Sequence, residues 1–349
     1  MRKSITSAKA LIVFLSSAAT PLLPANENSF QSPYDGIDWE THRLHLFDGH
    51  VHTRGNTVEE MVAAYHNMGY AAIAFADARL HYPMEDYLED PEKYDITVLP
   101  GQGNRHYSAE APYSQHHKVW FSEVDYDHTE LAFAEAIARV GEDGGLLEFA
   151  HPASHIYPMY SDAVGAEWYI EYFDGYDHVI GIEINNHDGP RSLRLFDDLL
   201  MHYGPERLVV GFGVSDTQGL RDDGSIGSAG GDFGFSLLIS EERDREGLRE
   251  AIEAGRVLWV DMEEPDADTE ELIFPRVTSI DVEPGKITLR VEEGYERIDW
   301  IYDHKVIHGG KTFTLEDTAT PRQNYVRFEI HAADGATVGS QAFYITEIN

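Results

Sequence analysis

Leu44-His45-Leu46-Phe47-Asp48-Gly49-His50-Val51-His52-Thr53 is the stretch on which the fold turns. Its apolar start predicts a buried strand. Residues two apart on a strand point to the same face, so His50 and His52 project together from its C-terminal end. Two imidazoles so placed can grip one metal ion. In a chain with 18 histidines, one His-x-His is a weak signal by itself. Its value depends on whether later strands also end in ligands.

They do. Residues 71–76 read as a second buried strand, ending at Asp77. Residues 96–99 form a third, ending at Pro100-Gly101-Gln102. A fourth, 118–121, is entered through His116 and His117, and a fifth, 145–150, ends at His151-Pro152. A sixth covers 179–184, and a seventh, 208–212, leads to Val214-Ser215-Asp216. Helical patterns fall at 57–68 (stopped by Gly69), 128–140, 192–202 and 244–254. Alternating helices and nearly continuous apolar strands predict a parallel sheet covered by helices. His50, His52, Asp77, Gln102, His151 and Asp216 all lie at or just past strand ends. In a β/α barrel those ends converge on one mouth. An open doubly wound sheet gathers ligands only at its crevice, so five contributing strands favour the barrel.

The chain of 349 residues has room for a second domain. An acidic, Pro-containing hinge over 261–273 leads to short strands with period-two alternation, which predict a small all-β sandwich over 274–349. Its aromatics fit core packing better than carbohydrate binding.

Asp and Glu number 62 against 26 Lys and Arg, only 7 of them Lys, giving a formal charge of -36. Such a surface repels nucleic acid and anionic membranes. The acidity is spread along the chain and reads as a solubility adaptation. There is no cysteine, which excludes disulfides, zinc-thiolate sites and thiol nucleophiles. Any metal must be held by His, Asp or Glu. Arg2, Lys3 and the short apolar run Leu11-Ile12-Val13-Phe14-Leu15 predict an export signal over 1–25, hence a secreted or periplasmic protein. That run is too short to span a bilayer comfortably, and no later segment is apolar enough to insert after signal removal.

Asp48-x-His50-x-His52-Thr53, Ile73-x-x-x-Asp77, Leu99-Pro100-Gly101, His116-His117, Ala150-His151-Pro152, Glu183-x-x-Asn186 and Ser215-Asp216 occur in an order that resembles the PHP (polymerase and histidinol phosphatase) metal-hydrolase family. The resemblance covers about residues 44–260. Leu248-x-x-Ala251-Ile252-x-Ala254-Gly255-Arg256, followed by a β domain, is similar to the exported or stand-alone branch of that family. The resemblance implies a distorted (β/α)7 barrel holding up to three metals and hydrolysing phosphoesters. It assigns His50, His52 and Asp216 to a first metal. His151 with His116 or His117 would hold a second, and Asp77 would stand near a third. Strand parity favours His117 of the pair, since it would carry Val119 and Phe121 inward with it.

Three departures stand out. Where the family has Asp-His, this chain has Asp77-Ala78; Gly-x-Glu is replaced by Gly101-Gln102-Gly103, and Asp-x-His by Asp216-Thr217-Gln218. The resemblance then implies that the third metal is gone and that the carboxylate bridging the other two is missing. The expectation is one tightly bound divalent transition metal (Zn, Mn or Fe), with a second only beside an anionic substrate. As replacement bridge, Glu183 is better placed than Glu148, which parity turns away. Asp77 is the candidate for orienting water or acting as base; Arg79, Arg105 and Arg54 are candidate clamps for an anionic group. The expected activity is metal-dependent hydrolysis of a small anionic ester, most simply a phosphoester. The alternative is a pseudoenzyme that only binds.

Overall fold

The computed structural model describes residues 29–77, 87–107, 114–122, 131–152, 165–186, 189–228, 232–264, 271–320 and 322–346. The expected export signal and Arg79 lie outside these residues, and of Arg105 only the backbone is described.

The first part of the chain contains β1 (Ser29–Gln31), β2 (Arg43–His52), β3 (Ala72–Phe75), β4 (Thr97–Leu99), β5 (Gly101–Tyr107), β6 (Ser114–Trp120), β7 (Leu146–Phe149), β8 (Val179–Glu183), β9 (Val210–Phe212), β10 (Thr217–Leu220), β11 (Ile226–Ser228), β12 (Asp232–Ser240) and β13 (Val257–Glu263). Between them lie α1 (Val58–Asn67), α2 (Phe133–Glu142), α3 (Ala166–Gly175), α4 (Gly189–Tyr203) and α5 (Arg245–Glu253). The remainder is all strand: β14 (Val277–Glu283), β15 (Lys286–Val291), β16 (Tyr295–Tyr302), β17 (Lys305–Gly309), β18 (Thr312–Thr314), β19 (Tyr325–Ala332), β20 (Thr337–Ser340) and β21 (Phe343–Thr346), apart from one short 3-10 turn. The protein is thus mixed α/β.

Local chemistry explains the helix boundaries. Thr57 and Glu60 form a reciprocal capping box at the start of α1, and Gly69 at φ 82° ends it. Asp244 caps α5 by accepting from Gly247 N at 2.9 Å. The helix α3, which has no counterpart among the expectations, buries Tyr169 and Phe173 from a run so aromatic that its apolar period is blurred.

All seven expected strands exist, but they are neither all parallel nor closed. β2, β3 and β4 are parallel, as are β7, β8 and β9. β6 runs antiparallel to both β5 and β7, and β12 antiparallel to both β2 and β13. The strands fall into two sheets, one centred on β2 and one of order β5-β6-β7-β8-β9. At one break β4 runs through Pro100 into β5, whose ladder partner is β6; Pro100 O accepts from Phe121 N at 2.7 Å, while Gly103 N still donates to Ala76 O, just past β3, at 2.8 Å.

At the other break, between β9 and β13, the C-terminal strands intervene. The Gln341 carboxamide accepts from Gly211 N at 2.8 Å and donates to Gly211 O at 3.0 Å and Val257 O at 3.1 Å. A side chain here satisfies backbone groups that neighbouring strands would otherwise satisfy. Just beyond β9, Gly213 presses against β12 and β13. A Cβ there would stand 2.4 Å from Phe235 O and 2.7 Å from Val260 O.

The expected C-terminal strands are present: β14, β15 and β18 form a separate three-stranded sheet, while β16, β17, β19, β20 and β21 extend the first sheet, β20 pairing antiparallel with β13. One apolar core runs across both parts, from Val51, Met61 and Phe235 to Ile280, Trp300 and Phe328. A buried bidentate pair, Arg327 with Asp197 at 2.8 and 3.1 Å, ties β19 to α4.

Candidate metal centre

β2 ends in a cluster of buried polar side chains. His50 Nε2 and His52 Nε2 approach to 3.2 Å, and both face Asp216 Oδ1, at 3.1 and 3.4 Å respectively. The three ligand atoms lie within 4.8 Å of one another, and this is the one such group among the described residues. The same-face geometry expected from strand parity is therefore realised. Asp216 reaches the site from the loop after β9, with its backbone in the left-handed region at φ 48°.

Each histidine is backed by a carboxylate. Glu183 Oε1 accepts from His50 Nδ1 at 2.6 Å, and Asp77 Oδ1 accepts from His52 Nδ1 at 2.9 Å. Both bonds leave Nε2 free to present its lone pair toward Asp216, which is how outer carboxylates fix the tautomer of a ligating histidine. Burial would raise both carboxyl groups, but their donors outweigh it: His50 and His151 hold Glu183 at about 2, and His52 with Thr53 holds Asp77 at about 2. Burial pushes His50 below the usual histidine range, against the pull of Asp216 and Glu183, which favours the neutral imidazole a metal requires.

A second buried cluster fixes β2 to the loop that carries Asp216. Asp48 accepts from His50 N at 3.1 Å, Tyr65 OH at 2.8 Å and Ser215 Oγ at 2.5 Å, while Tyr65 and Ser215 both contact Thr217 Oγ1. Burial raises Asp48 to about 6 despite these donors. Tyr65, from α1, was not singled out in the sequence.

Beside the first group lie His116 and His151, with His116 Nδ1 and His151 Nε2 at 2.8 Å. His151 stacks on His50 at a centroid distance of 5.9 Å, and its N–H donates to Glu183 Oε2 at 2.5 Å. Burial drives the His151 imidazole down to about 3.

Several expectations need correction. Parity favoured His117 as the inward residue; the structure turns His117 onto Phe133 of α2 at 5.4 Å and brings His116 to the site. The reason is that both sheet faces are buried, and the more apolar one is the face under the helices, where Val119 packs with Leu147 and Phe149. Glu148 was expected to point away. It pairs across the strands with Lys118, which shares a face with His116, because His151 lies past the strand end at φ 29° and strand parity does not extend to it. Asp77 was a candidate base. Both its oxygens are engaged, one with His52 Nδ1 at 2.9 Å and the other with Thr53 N at 2.5 Å. Gln218, where the resemblance has a histidine, donates to Asp216 Oδ1 at 2.6 Å. Arg54 is exposed beyond the strand end.

Lys118 was missed altogether. It is 5% exposed; burial pushes its ammonium below the usual lysine range, against the pull of Glu183, Asp216, Glu148 and Asp77. The available signal was a lysine inside an apolar strand of a chain with only 7 lysines.

Two imidazoles, each backed by a carboxylate, and the Asp216 carboxylate form a mixed nitrogen and oxygen donor set suited to a divalent transition metal. No protein-family model and no curated protein matches the sequence. Among solved structures, the chain is similar to a two-domain protein from Bacteroides vulgatus containing a predicted PHP-like metal-dependent phosphoesterase. That likeness has 14% identity and a TM-score of 0.48, covering 93% of this chain and 100% of that chain. It is also similar to an inferred metal-dependent phosphoesterase from Bifidobacterium adolescentis, with 16% identity and a TM-score of 0.36, covering 50% of this chain and 87% of that chain.

Proposed function

We propose that the protein is a metal-dependent hydrolase of small anionic esters, most simply a phosphoesterase of PHP type, with one tightly held metal. The observation that carries this reading is the His50, His52 and Asp216 group with Glu183 and Asp77 behind the two imidazoles. His50, His52 and Asp216 would hold a divalent Zn, Mn or Fe ion, which would activate water and polarise an ester oxygen. The chain's own residues do the rest. Asp48, Tyr65 and Ser215 hold β2 against the Asp216 loop, and Glu183 keeps His50 in the tautomer that faces Asp216. Arg79 and Arg105 are proposed clamps for the anion.

The two sheets are read as halves of a distorted (β/α)7 barrel, open where Pro100 and Gln341 lie. Export to the periplasm or medium, and no contact with nucleic acid, complete the proposal. The pseudoenzyme reading rests on one contact: Gln218, in place of a ligand, donates to Asp216.

Elemental analysis of purified protein beside His50→Ala/His52→Ala, with a phosphoester and carboxylic ester panel, tests the proposal. Stoichiometric metal lost in the double variant, with turnover of a phosphoester, is the expected result. Wild type without metal after loading would end the metal reading. Metal without turnover of any panel member would favour the binding module.

A further inference from the structure

We infer that Lys118 is the second cation of this centre: it binds an anionic oxygen of the ester beside a single metal, and His116 with His151 do not hold a second metal ion. The inference rests on the metal-hydrolase reading and adds a substrate-binding residue to the proposed clamps Arg79 and Arg105.

The first observation is placement. Gly103, Lys118 and Glu148 are directly opposed across β5, β6 and β7, so they form one row on the face that looks at the site. Lys118 is buried there, among the carboxylates of Glu183, Asp216, Glu148 and Asp77, and its charge acts on His50 and His151.

The second observation is space. A Cβ on Gly103 would stand 2.8 Å from Lys118 Nζ. The ammonium therefore occupies the volume into which any side chain at 103 would grow, including a carboxylate able to bridge two metals. Two dications at the separation of a two-metal site repel strongly and need such an anionic bridge. Here the position holds no side chain, and a positive charge stands in its place.

The third is the donor set. His116 and His151 contribute two nitrogens that contact each other, and no group of three ligands forms around them among the described residues. A second ion there would meet an ammonium where the resemblance has a bridging carboxylate. For an ester oxyanion the same surroundings are favourable, because lysine binds phosphate as a point charge.

The test uses full-length protein loaded with excess Mn2+ in the presence of inorganic phosphate, desalted, and counted for metal. Phosphate binding is then measured by calorimetry. The expected result is one metal per chain, with Lys118→Met keeping that metal but binding phosphate at least tenfold more weakly, and Lys118→Arg recovering part of the loss. Two metals in wild type, or unchanged phosphate affinity in a folded Lys118→Met, would overturn the inference. Should that variant fail to fold, the wild-type metal count decides alone. A protein that holds one metal and binds phosphate through Lys118 yet cleaves no ester refutes the hydrolase reading while leaving Lys118 in its role. Turnover with two metals does the reverse.

Discussion

Glu183 Oε1 lies 2.6 Å from His50 Nδ1, and its other oxygen accepts from the backbone N–H of His151 at 2.5 Å. One buried carboxylate thus sets the tautomer of a candidate ligand on β2 and the position of the histidine that follows β7. Glu183→Gln keeps the shape but offers a donor or a weaker acceptor to His50. Loss of an outer partner of this kind costs about 10–100-fold in metal affinity. Competition against a chelator of known affinity measures it, and an unchanged affinity would show that Glu183 does not orient His50.

Asp77 permits a sharper distinction. As a positioning group for His52, Asp77→Asn is expected to weaken metal binding by about 10–100-fold, while activity returns at saturating metal. As a general base, it would leave metal affinity alone and lower turnover by about 100-fold or more at any metal concentration. Metal titrations of affinity and rate on the same variant separate the two, and the low pKa of about 2 speaks for the first.

Arg327 and Asp197 form a buried bidentate pair that Glu329 extends at 2.5 Å. Removing one partner of such a pair strands a buried charge, so Asp197→Ala is expected to cost about 3–5 kcal/mol in denaturant unfolding. Burial would raise the Asp197 carboxyl, but Arg327 and His304 outweigh it and hold it well below the ordinary carboxylate range. A carboxyl depressed in the folded state stabilises above its unfolded pKa of about 3.9, and that stabilisation is lost as pH falls toward the folded value. Stability of wild type should therefore fall between about pH 5 and pH 2, and Asp197→Asn should flatten that limb. Parallel acid limbs in the two proteins would remove Asp197 from the account.

Gln341→Leu leaves Gly211 N and Gly211 O without their side-chain partner, while Val257 O keeps Tyr34 OH. Each buried polar group left unmet costs about 1–3 kcal/mol, so the variant is expected to lose at least that much stability. Urea unfolding of the pair reads it directly; a loss within about 0.5 kcal/mol, the range of neutral surface changes, would mean that water replaces the carboxamide.

Much of the centre was legible because strand periodicity is local. His50 and His52 needed only the period of a strand, and Asp216 only the rule that ligands follow strand ends. His117 was misplaced because parity says that two residues point oppositely, not which face is the wetter one; that depends on what α2 lays over β6. Glu148 was misplaced because counting continued through His151, where the backbone leaves the strand. The open sheets were illegible since the seam at Gly211 is met by Gln341, 130 residues away. Lys118 escaped notice because its neighbours are carboxylates from β3, β7, β8 and the loop after β9, which only the folded chain assembles.

The Gln341 carboxamide has a consequence for how this chain can be cut or recombined. Its partner Gly211 lies five residues before Asp216, and Tyr34, which donates to Val257 O at 2.8 Å, also accepts from Gln341 N at 2.9 Å. The N-terminal approach, the part that carries the candidate ligands and the last strands therefore meet at one point. A fragment ending before β14 would carry every proposed ligand and still lack the clasp behind the loop that presents one of them. Heat and chelator should act on this protein as a single unit, melting the tail and releasing the metal in one transition.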